Sequence, residues 1–233
     1  MIHPITQIHW FGDHWVLARP GGGKPFTNLV GESLGVECKK YAQTDMAGIG
    51  LYKVFQTFLQ YKDSISLDHL VIFCVPTCYR CCWFNDQGQE IHFDTGPKKP
   101  EQKNWDADIA NDYFCSYQSH NLINTLYFVC KSQNIKCLFV NSYYPLKRVN
   151  MLTPDDIWIL PPEQCLAGSV LDLPLLGSEL VIEDRGQFTT AEFDLQKQRL
   201  AEYFIPNGYH PNRVGNHKIA EFLLEFLRNK IVF

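Results

Sequence analysis

The sequence has no long apolar segment, which excludes a membrane-spanning helix. In 233 residues no apolar run approaches the roughly 18 residues that such a helix needs. The first ten residues include His3, Pro4 and His9, where a secretory signal peptide would have an apolar core. We therefore expect a protein that is made and kept in a cytosol and that has no membrane partner.

The sequence also has no excess of charge of either sign. It carries 21 Lys and Arg against 25 Asp and Glu, a formal net charge of -4. This balance gives no general attraction to nucleic acid, so we expect no nucleic-acid partner. With 45% hydrophobic and 20% charged residues, and no internal repeat or low-complexity tract, the composition is that of one packed globular domain.

The glycine-rich loop before residue 26 lacks the spacing of a phosphate-binding loop. Such a loop requires Ser or Thr directly after its Gly-Lys pair, whereas Pro25 follows Lys24. We therefore expect no nucleotide cofactor at this loop.

The cysteines lack the spacing of a structural zinc site. Cys78, Cys81 and Cys82 form one cluster, but no second pair of ligands follows at suitable spacing. The total of nine cysteines is odd, and several lie in apolar segments where a thiol packs as a small hydrophobic group. We expect mostly reduced thiols, no structural metal and no cofactor.

The hydrophobic periodicity alternates between strand and helix along the chain. Predicted strands cover 5–11, 36–41, 70–75 and 135–140, and predicted helices cover 26–34, 49–59, 112–133, 190–203 and 215–229. This order predicts a parallel sheet with helices on both faces. The polar stretch 85–106 predicts an exposed excursion, and the proline-rich stretch 145–186 an irregular insertion.

A turn near the C-terminus presents a histidine beside the start of a helix. The run from Asn207 to Asn212 reads Asn-Gly-Tyr-His-Pro-Asn, and Gly215, Ile219 and Ala220 follow it. It resembles the last motif of the SGNH (GDSL-type) hydrolases, Asp-x-x-His-Pro-Asn, which supplies the acid and base of a Ser-His-Asp triad. This resemblance makes His210 the base and implies a three-layer α/β/α, flavodoxin-like fold in one domain, 1–233.

The other motifs of that family occur in order, but in altered form. Phe11-Gly12-Asp13-His14 lies where the family has Gly-Asp-Ser, so His14 occupies the nucleophile position. An imidazole there cannot form the usual acyl-serine intermediate. Asn207 occupies the position of the Asp that would orient the base. The nearest other serine, Ser33, is predicted to lie within a helix, which argues against moving the nucleophile there.

The oxyanion-hole positions of the family are also altered. The resemblance places Asp45 where the family has a glycine, with Gly48 as the alternative if the loop is longer. A carboxylate at that position would oppose a developing oxyanion. Thr77 takes the place of the usual asparagine, as in a subset of the family that has Thr-x-x-Arg there. Of the five positions carried over, only His210 keeps the family residue.

Three functional hypotheses fit these observations. The first is an SGNH-like binding or structural module without hydrolase activity, which binds a protein partner in an assembly such as a phage virion, or a glycan or ester ligand. The second is an active ester hydrolase that uses His210 with an unorthodox nucleophile, or with water on a metal held by His14, Asp45 and His210. The third assigns the polar residues a structural role and any activity to the insertion at 145–186.

Overall fold

The structure is a computed structural model of the chain. The described residues are 4–17, 23–42, 50–76, 80–84, 87, 90–94, 112–142, 146–166, 202–204, 210–231 and 233. The predicted helix at 190–203, except for its last two residues, and the insertion beyond 166 lie outside these residues.

In the described part of the chain, the central sheet has four parallel strands: β1 (Gln7–Phe11), β2 (Glu37–Tyr41), β3 (His69–Val75) and β6 (Lys136–Asn141). Their order across the sheet is β2-β1-β3-β6, and all neighbours are parallel. Counting these four strands alone, the order is 2-1-3-4, which is that of flavodoxin-like folds. The predicted parallel α/β fold is therefore confirmed, and each strand lies within two residues of its predicted bounds.

A two-stranded antiparallel hairpin follows the central strand. It consists of β4 (Arg80–Phe84) and β5 (Glu90–Asp94), and β5 lies within the stretch that was predicted only as an exposed excursion. No strand was predicted there because turn residues and charges dominate the composition of the whole stretch. Because β5 pairs with β4, the preceding strand in the sequence, and not with the main sheet, its hydrophobic pattern is a weak signal for a strand.

Among the described residues, two helices cover each face of the sheet, which makes three layers. The helices are α1 (Phe26–Leu34), α2 (Leu51–Tyr61), α3 (Asp112–Ser132) and α4 (Arg213–Lys230). Apolar residues of α1 and α4 share one core with the sheet, and those of α2 and α3 share the other. None of the described helices is long and apolar enough to span a membrane.

Strand β3 is buried on both faces, as its continuous apolar run predicts. Alternate residues point to opposite layers: Leu70, Ile72 and Cys74 lie in the core under α1 and α4, and Val71, Phe73 and Val75 in the core under α2 and α3. In the second core, Phe73 stacks on Phe139 with ring centroids 5.0 Å apart. Full burial of such a side chain contributes about 1.5–3 kcal/mol, so much of the aromatic content serves the core.

The first part of the predicted insertion is irregular but is held against α3 by polar side chains. Ser116 and Asn124 are buried on α3. The Ser116 hydroxyl accepts from the backbone N–H of Lys147, and the Asn124 side chain bonds to the backbone of Asn150 and Leu152. The polar residues of α3 that weaken its apolar pattern are therefore the attachment points of this segment.

Candidate functional site

The candidate site lies at the edge of the sheet where β1, β3 and β6 end and where α1 and α4 begin. In sheets of this strand order, ligands bind outside the carboxyl ends of the strands, at the point where the order reverses. Here that point lies between β1 and β3, because the chain passes from β1 to β2 on one side and returns across β1 to β3. We define the carboxyl edge by the residues at these ends: Gly12, Asp13, His14, Asn141, Ser142 and His210.

A chain of contacts brings the first and last motifs together at this edge. The ring of Trp15, next to His14, lies 5.8 Å from the ring of Phe204. Phe204 pairs with Pro211, next to His210, in an antiparallel bridge. The backbones of His14 and His210 are therefore each one residue from this cluster of contacts.

Asp13 builds the turn that follows β1. Its side chain is buried, and its Oδ1 accepts the backbone N–H of Trp15 at 3.0 Å. The backbone N–H of Val16 donates to the carbonyl oxygen of Asp13 at 3.3 Å, and residues 14–16 form one turn of 3₁₀ helix. The structure thus places the backbone of His14 directly after the strand end, where the family resemblance puts a nucleophile. The side chain of His14 lies outside the described part of the structure.

Close packing around Gly12 fixes the path of the chain into this turn. A Cβ at Gly12 would lie 2.8 Å from Cβ of Cys74 and 3.0 Å from Cγ1 of Val16, so a larger residue does not fit without a shift. Burial, and next to it the charge of Asp13, raise the pKa of the Cys74 thiol well above its usual range. Cys74 therefore remains a protonated packing group.

His210 is half-buried and directly precedes the start of α4. The side chain of Asn212 caps the helix by accepting the N–H of Gly215 at 3.0 Å, and its amide group donates to the carbonyl oxygen of Glu202 at 2.8 Å. The helix begins at Arg213, two residues before its predicted start. The cap explains why an Asn follows the His-Pro pair in this motif.

Asn216 ties the starts of α1 and α4 together. Its Oδ1 accepts the backbone N–H of Phe26 at 2.9 Å, and its Nδ2 donates to the carbonyl oxygen of Pro211 at 3.0 Å. Gly215 is required beside it, because a Cβ there would lie 2.1 Å from the carbonyl oxygen of Tyr203. Both helix starts are therefore held at the carboxyl edge by one buried amide.

Several predicted site residues lie outside the described residues: Asp45 with its alternative Gly48, Thr77 and Asn207. Their roles remain predictions. Among the residues that the structure describes, no group of three or more His, Cys, Asp or Glu is arranged to hold a metal ion. The metal set hypothesised from the sequence, His14, Asp45 and His210, includes Asp45, which lies outside the described residues.

Ser33 lies where the sequence places it, within α1 and exposed. It is seven residues beyond Phe26, which begins the helix at the carboxyl edge. At about 1.5 Å per residue, Ser33 lies on the order of 10 Å along the helix from that edge. The structure therefore supports leaving Ser33 out of the site.

Sequence reasoning missed Asn141 and Ser142, both of which are fully buried at the end of β6. Asn141 Nδ2 donates to the carbonyl oxygens of Pro162 and Gln164 at 2.7 and 3.0 Å, and the backbone N–H of Ser142 donates to Val75 at 3.0 Å. Within the described structure, Oδ1 of Asn141 and Oγ of Ser142 have no hydrogen-bond partner. The sequence signal that could have identified them is a pair of polar residues directly after an apolar predicted strand.

Comparisons with known proteins found similarity only among solved structures. No protein-family model matches the sequence, and no curated protein matches it. One similar structure is the acetyl xylan esterase AlAXEase, at 13% identity over 94% of this chain and 98% of that chain, with a TM-score of 0.44.

Two further similar structures carry the GDSL name. One is a proposed lipolytic protein of the G-D-S-L family from Desulfitobacterium hafniense DCB-2, at 10% identity over 95% of this chain and 99% of that chain, with a TM-score of 0.45. The other is a proposed GDSL-like lipase from Parabacteroides merdae ATCC 43184, at 12% identity over 97% of each chain, with a TM-score of 0.42. Because these TM-scores are below 0.5, the activities of these proteins are not transferred to this chain.

Proposed function

We propose that this chain is a binding module whose carboxyl edge recognises a ligand without hydrolysing it. The observation that carries the proposal is the turn after β1, where Asp13 holds the backbone in place but the residue at the nucleophile position is His14. A serine is required there because its oxygen forms the acyl intermediate and is regenerated by water. The imidazole of His14 does not provide that oxygen.

The substitution at Asn207 supports the same proposal. In a Ser-His-Asp triad the carboxylate fixes the tautomer of the histidine, and its replacement by Asn lowers turnover about ten-thousand-fold. At the positions that the family resemblance assigns, His14 and Asn207 therefore stand in place of the Ser and Asp of a triad. What remains at the carboxyl edge is a set of polar groups on a rigid framework, which suits binding.

The proposed ligand is a protein of a larger assembly, such as a virion, and a glycan is the alternative ligand. The basis is the loss of the triad residues together with the net charge of -4, which disfavours nucleic acid. Recognition would then use the groups at the strand ends and at the start of α4.

An ester hydrolase with a different nucleophile is the second candidate function. Ser142 favours it, because this serine lies at the same edge and its Oγ has no hydrogen-bond partner in the described structure. A hydroxyl with an unused lone pair could be activated by a base such as His210. However, Ser142 is fully buried, and a substrate would have to displace the residues that cover it.

Labelling with a fluorophosphonate probe distinguishes the two candidates, because this reagent modifies only activated serine hydroxyls. The full-length chain would be treated beside the Ser142→Ala variant, with Ser33→Ala as a matched control on the exposed face of α1. The proposal predicts no labelling of any of the three proteins. Labelling that is lost in Ser142→Ala and kept in Ser33→Ala would establish a serine hydrolase and reject the binding module.

A further inference from the structure

A groove lies between the outer faces of α1 and α4, beyond the carboxyl edge. Its base is apolar and is formed by Leu29, Ala220 and Leu224, and Glu32 and Glu221 stand at its sides. Ala220 and Leu224 are buried, whereas both glutamates are exposed. Because Ala220 carries only a methyl group, the groove has room above it for an apolar side chain of another molecule.

The two helices form this groove because they begin together and run side by side. Asn216 fastens the start of α4 to Phe26 at the start of α1. Ser33 is seven residues beyond Phe26, and Leu224 is eight residues beyond Asn216. At about 1.5 Å per residue the two lie at a similar height, and both line the groove. Helix α1 then ends, and α4 continues alone.

The acidic side of the groove continues along α4 past the end of α1. Glu221 and Glu225 are four residues apart, so they point to the same side of the helix. Leu224 lies between them, and all three line this part of the groove. An apolar base bordered by carboxylates is therefore continuous over both parts.

The two carboxylates on α4 have no cationic partner in the described part of the chain. Glu32 is paired with Lys24, whose Nζ lies 2.7 Å from its Oε2. Neither Glu221 nor Glu225 forms an ion pair with a described residue, although Arg228 also lines the groove. Like charges at this spacing destabilise a helix, and a cation placed between them would relieve the repulsion.

We propose that this groove binds a segment of a partner protein that carries Lys or Arg beside an apolar side chain. The apolar side chain would lie over Ala220, and the cation would lie between Glu221 and Glu225. Burial of the apolar group supplies affinity, and the charges supply orientation and a faster association. Among the described residues no group of His, Cys, Asp or Glu is arranged to hold a metal ion, which favours a side-chain cation.

This surface is separate from the function proposed above, because none of the residues of the carboxyl edge takes part in it. Loss of binding at the groove would therefore leave ligand recognition at the carboxyl edge unaffected. The reverse also holds, so the two proposals fail independently.

A fluorescent peptide of Leu, Ala and Lys, about 15 residues long so that it can form a helix, tests the proposal. Fluorescence anisotropy with the full-length chain measures its Kd, and a peptide with Glu in place of each Lys is the reference. We expect the Lys peptide to bind and the Glu peptide not to bind. The double variant Glu221→Gln/Glu225→Gln should weaken binding about two- to thirtyfold, because it removes both carboxylates at nearly unchanged size.

A second variant tests the groove without removing an acid. Ser33→Lys, at an exposed position of α1, places a cation of the chain itself in the groove and should also weaken binding. Asp63→Asn/Asp156→Asn is the matched control, because it removes the same charge from two exposed turns outside α1 and α4. This control should bind the Lys peptide as the wild type does.

The proposal is overturned if the wild type does not bind the Lys peptide, or if both groove variants bind it as the wild type does. It is also overturned if the control variant loses as much affinity as Glu221→Gln/Glu225→Gln, because the attraction would then come from net charge alone. Sedimentation of the chain without peptide completes the test. Wild-type dimers that dissociate in the groove variants would show that a second copy, and not a partner protein, occupies the groove.

Discussion

At the scale of single residues, a partly buried chain of hydrogen bonds assigns the ring protons of His9. The backbone N–H of Ser66 points to Nδ1 of His69 at 3.3 Å, so that nitrogen accepts and carries no proton. Nε2 of His9, which lies 2.9 Å from the same nitrogen, must therefore donate to it. Nδ1 of His9 then accepts from the hydroxyl of Tyr41 at 3.1 Å, and His9 is neutral.

This arrangement makes stability depend on pH. Burial lowers the pKa of His9 from 6.5 to about 4, and the neighbouring His69 and Lys39 act in the same direction because they oppose a positive charge on His9. Below pH 6.5 the unfolded chain binds a proton at this position that the folded chain does not, so stability falls as pH falls from 6.5 to 4. We expect a loss of about 2–3 kcal/mol in the free energy of unfolding from His9 over this range.

Urea unfolding at pH 7 and pH 4.5 measures this loss. His9→Gln should be less stable at pH 7 but should lose less stability between the two pH values than the wild type does. His217→Gln, at an exposed position of α4, serves as the control and should keep the wild-type pH dependence. The pKa of Asp68 is lowered to about 2, mainly by the Ser66 hydroxyl, so Asp68 contributes to the pH dependence of stability only at lower pH. An unchanged slope in His9→Gln would contradict the deduced neutral state.

At the scale of elements, the start of α4 depends on its asparagine cap. Asn212→Ala removes the acceptor for Gly215 N–H and the donor to Glu202, so we expect the free energy of unfolding to fall by about 1–2 kcal/mol. Chemical denaturation measures the change. Asn229→Ala, the same substitution at an exposed position near the end of α4, should change stability by less than about 0.5 kcal/mol. Equal effects of the two substitutions would argue against the capping role.

The segment 146–152 depends in the same way on α3. Asn124→Ala leaves the backbone groups of Asn150 and Leu152 without their side-chain partner, and we expect a loss of about 1–3 kcal/mol. The rate of hydrogen exchange at the Leu152 amide should also increase in this variant, because the Leu152 N–H donates to Asn124. Thr125→Ala, an exposed neighbour on α3, should leave this exchange unchanged. Unchanged exchange in Asn124→Ala would contradict the attachment.

The elements of the central sheet and its described helices were predictable from the sequence, and the hairpin strands were not. Helix α1 has its predicted bounds for two reasons. Its apolar spacing begins directly after Pro25. Gly35, which takes a left-handed conformation with φ of 70°, ends the helix. Strand β3 was predictable because it is apolar on both faces. The hairpin strand β5 was not, since a locally paired strand among polar residues lacks the continuous apolar pattern of a central strand.

At the scale of the whole molecule, the predicted fold is confirmed, whereas several of the predicted site residues lie outside the described residues. Alternating strands and helices predict a parallel sheet, and the family resemblance implies the flavodoxin-like arrangement that the strand order has. In the structure, the turn at Asp13 and the start of α4 lie at the same edge. Asn141 and Ser142 belong to no motif, and only the register of β6 against β3 reveals them beside Val75.

The central claim is that the carboxyl edge no longer hydrolyses esters. The most direct measurement is the turnover of p-nitrophenyl acetate by the full-length wild type and by His210→Ala, with added zinc and with a chelator. We predict that both proteins match the rate of the buffer blank under every condition. A wild-type rate above that of His210→Ala would contradict the claim, and loss of that rate with the chelator would show that metal-bound water replaces the missing serine.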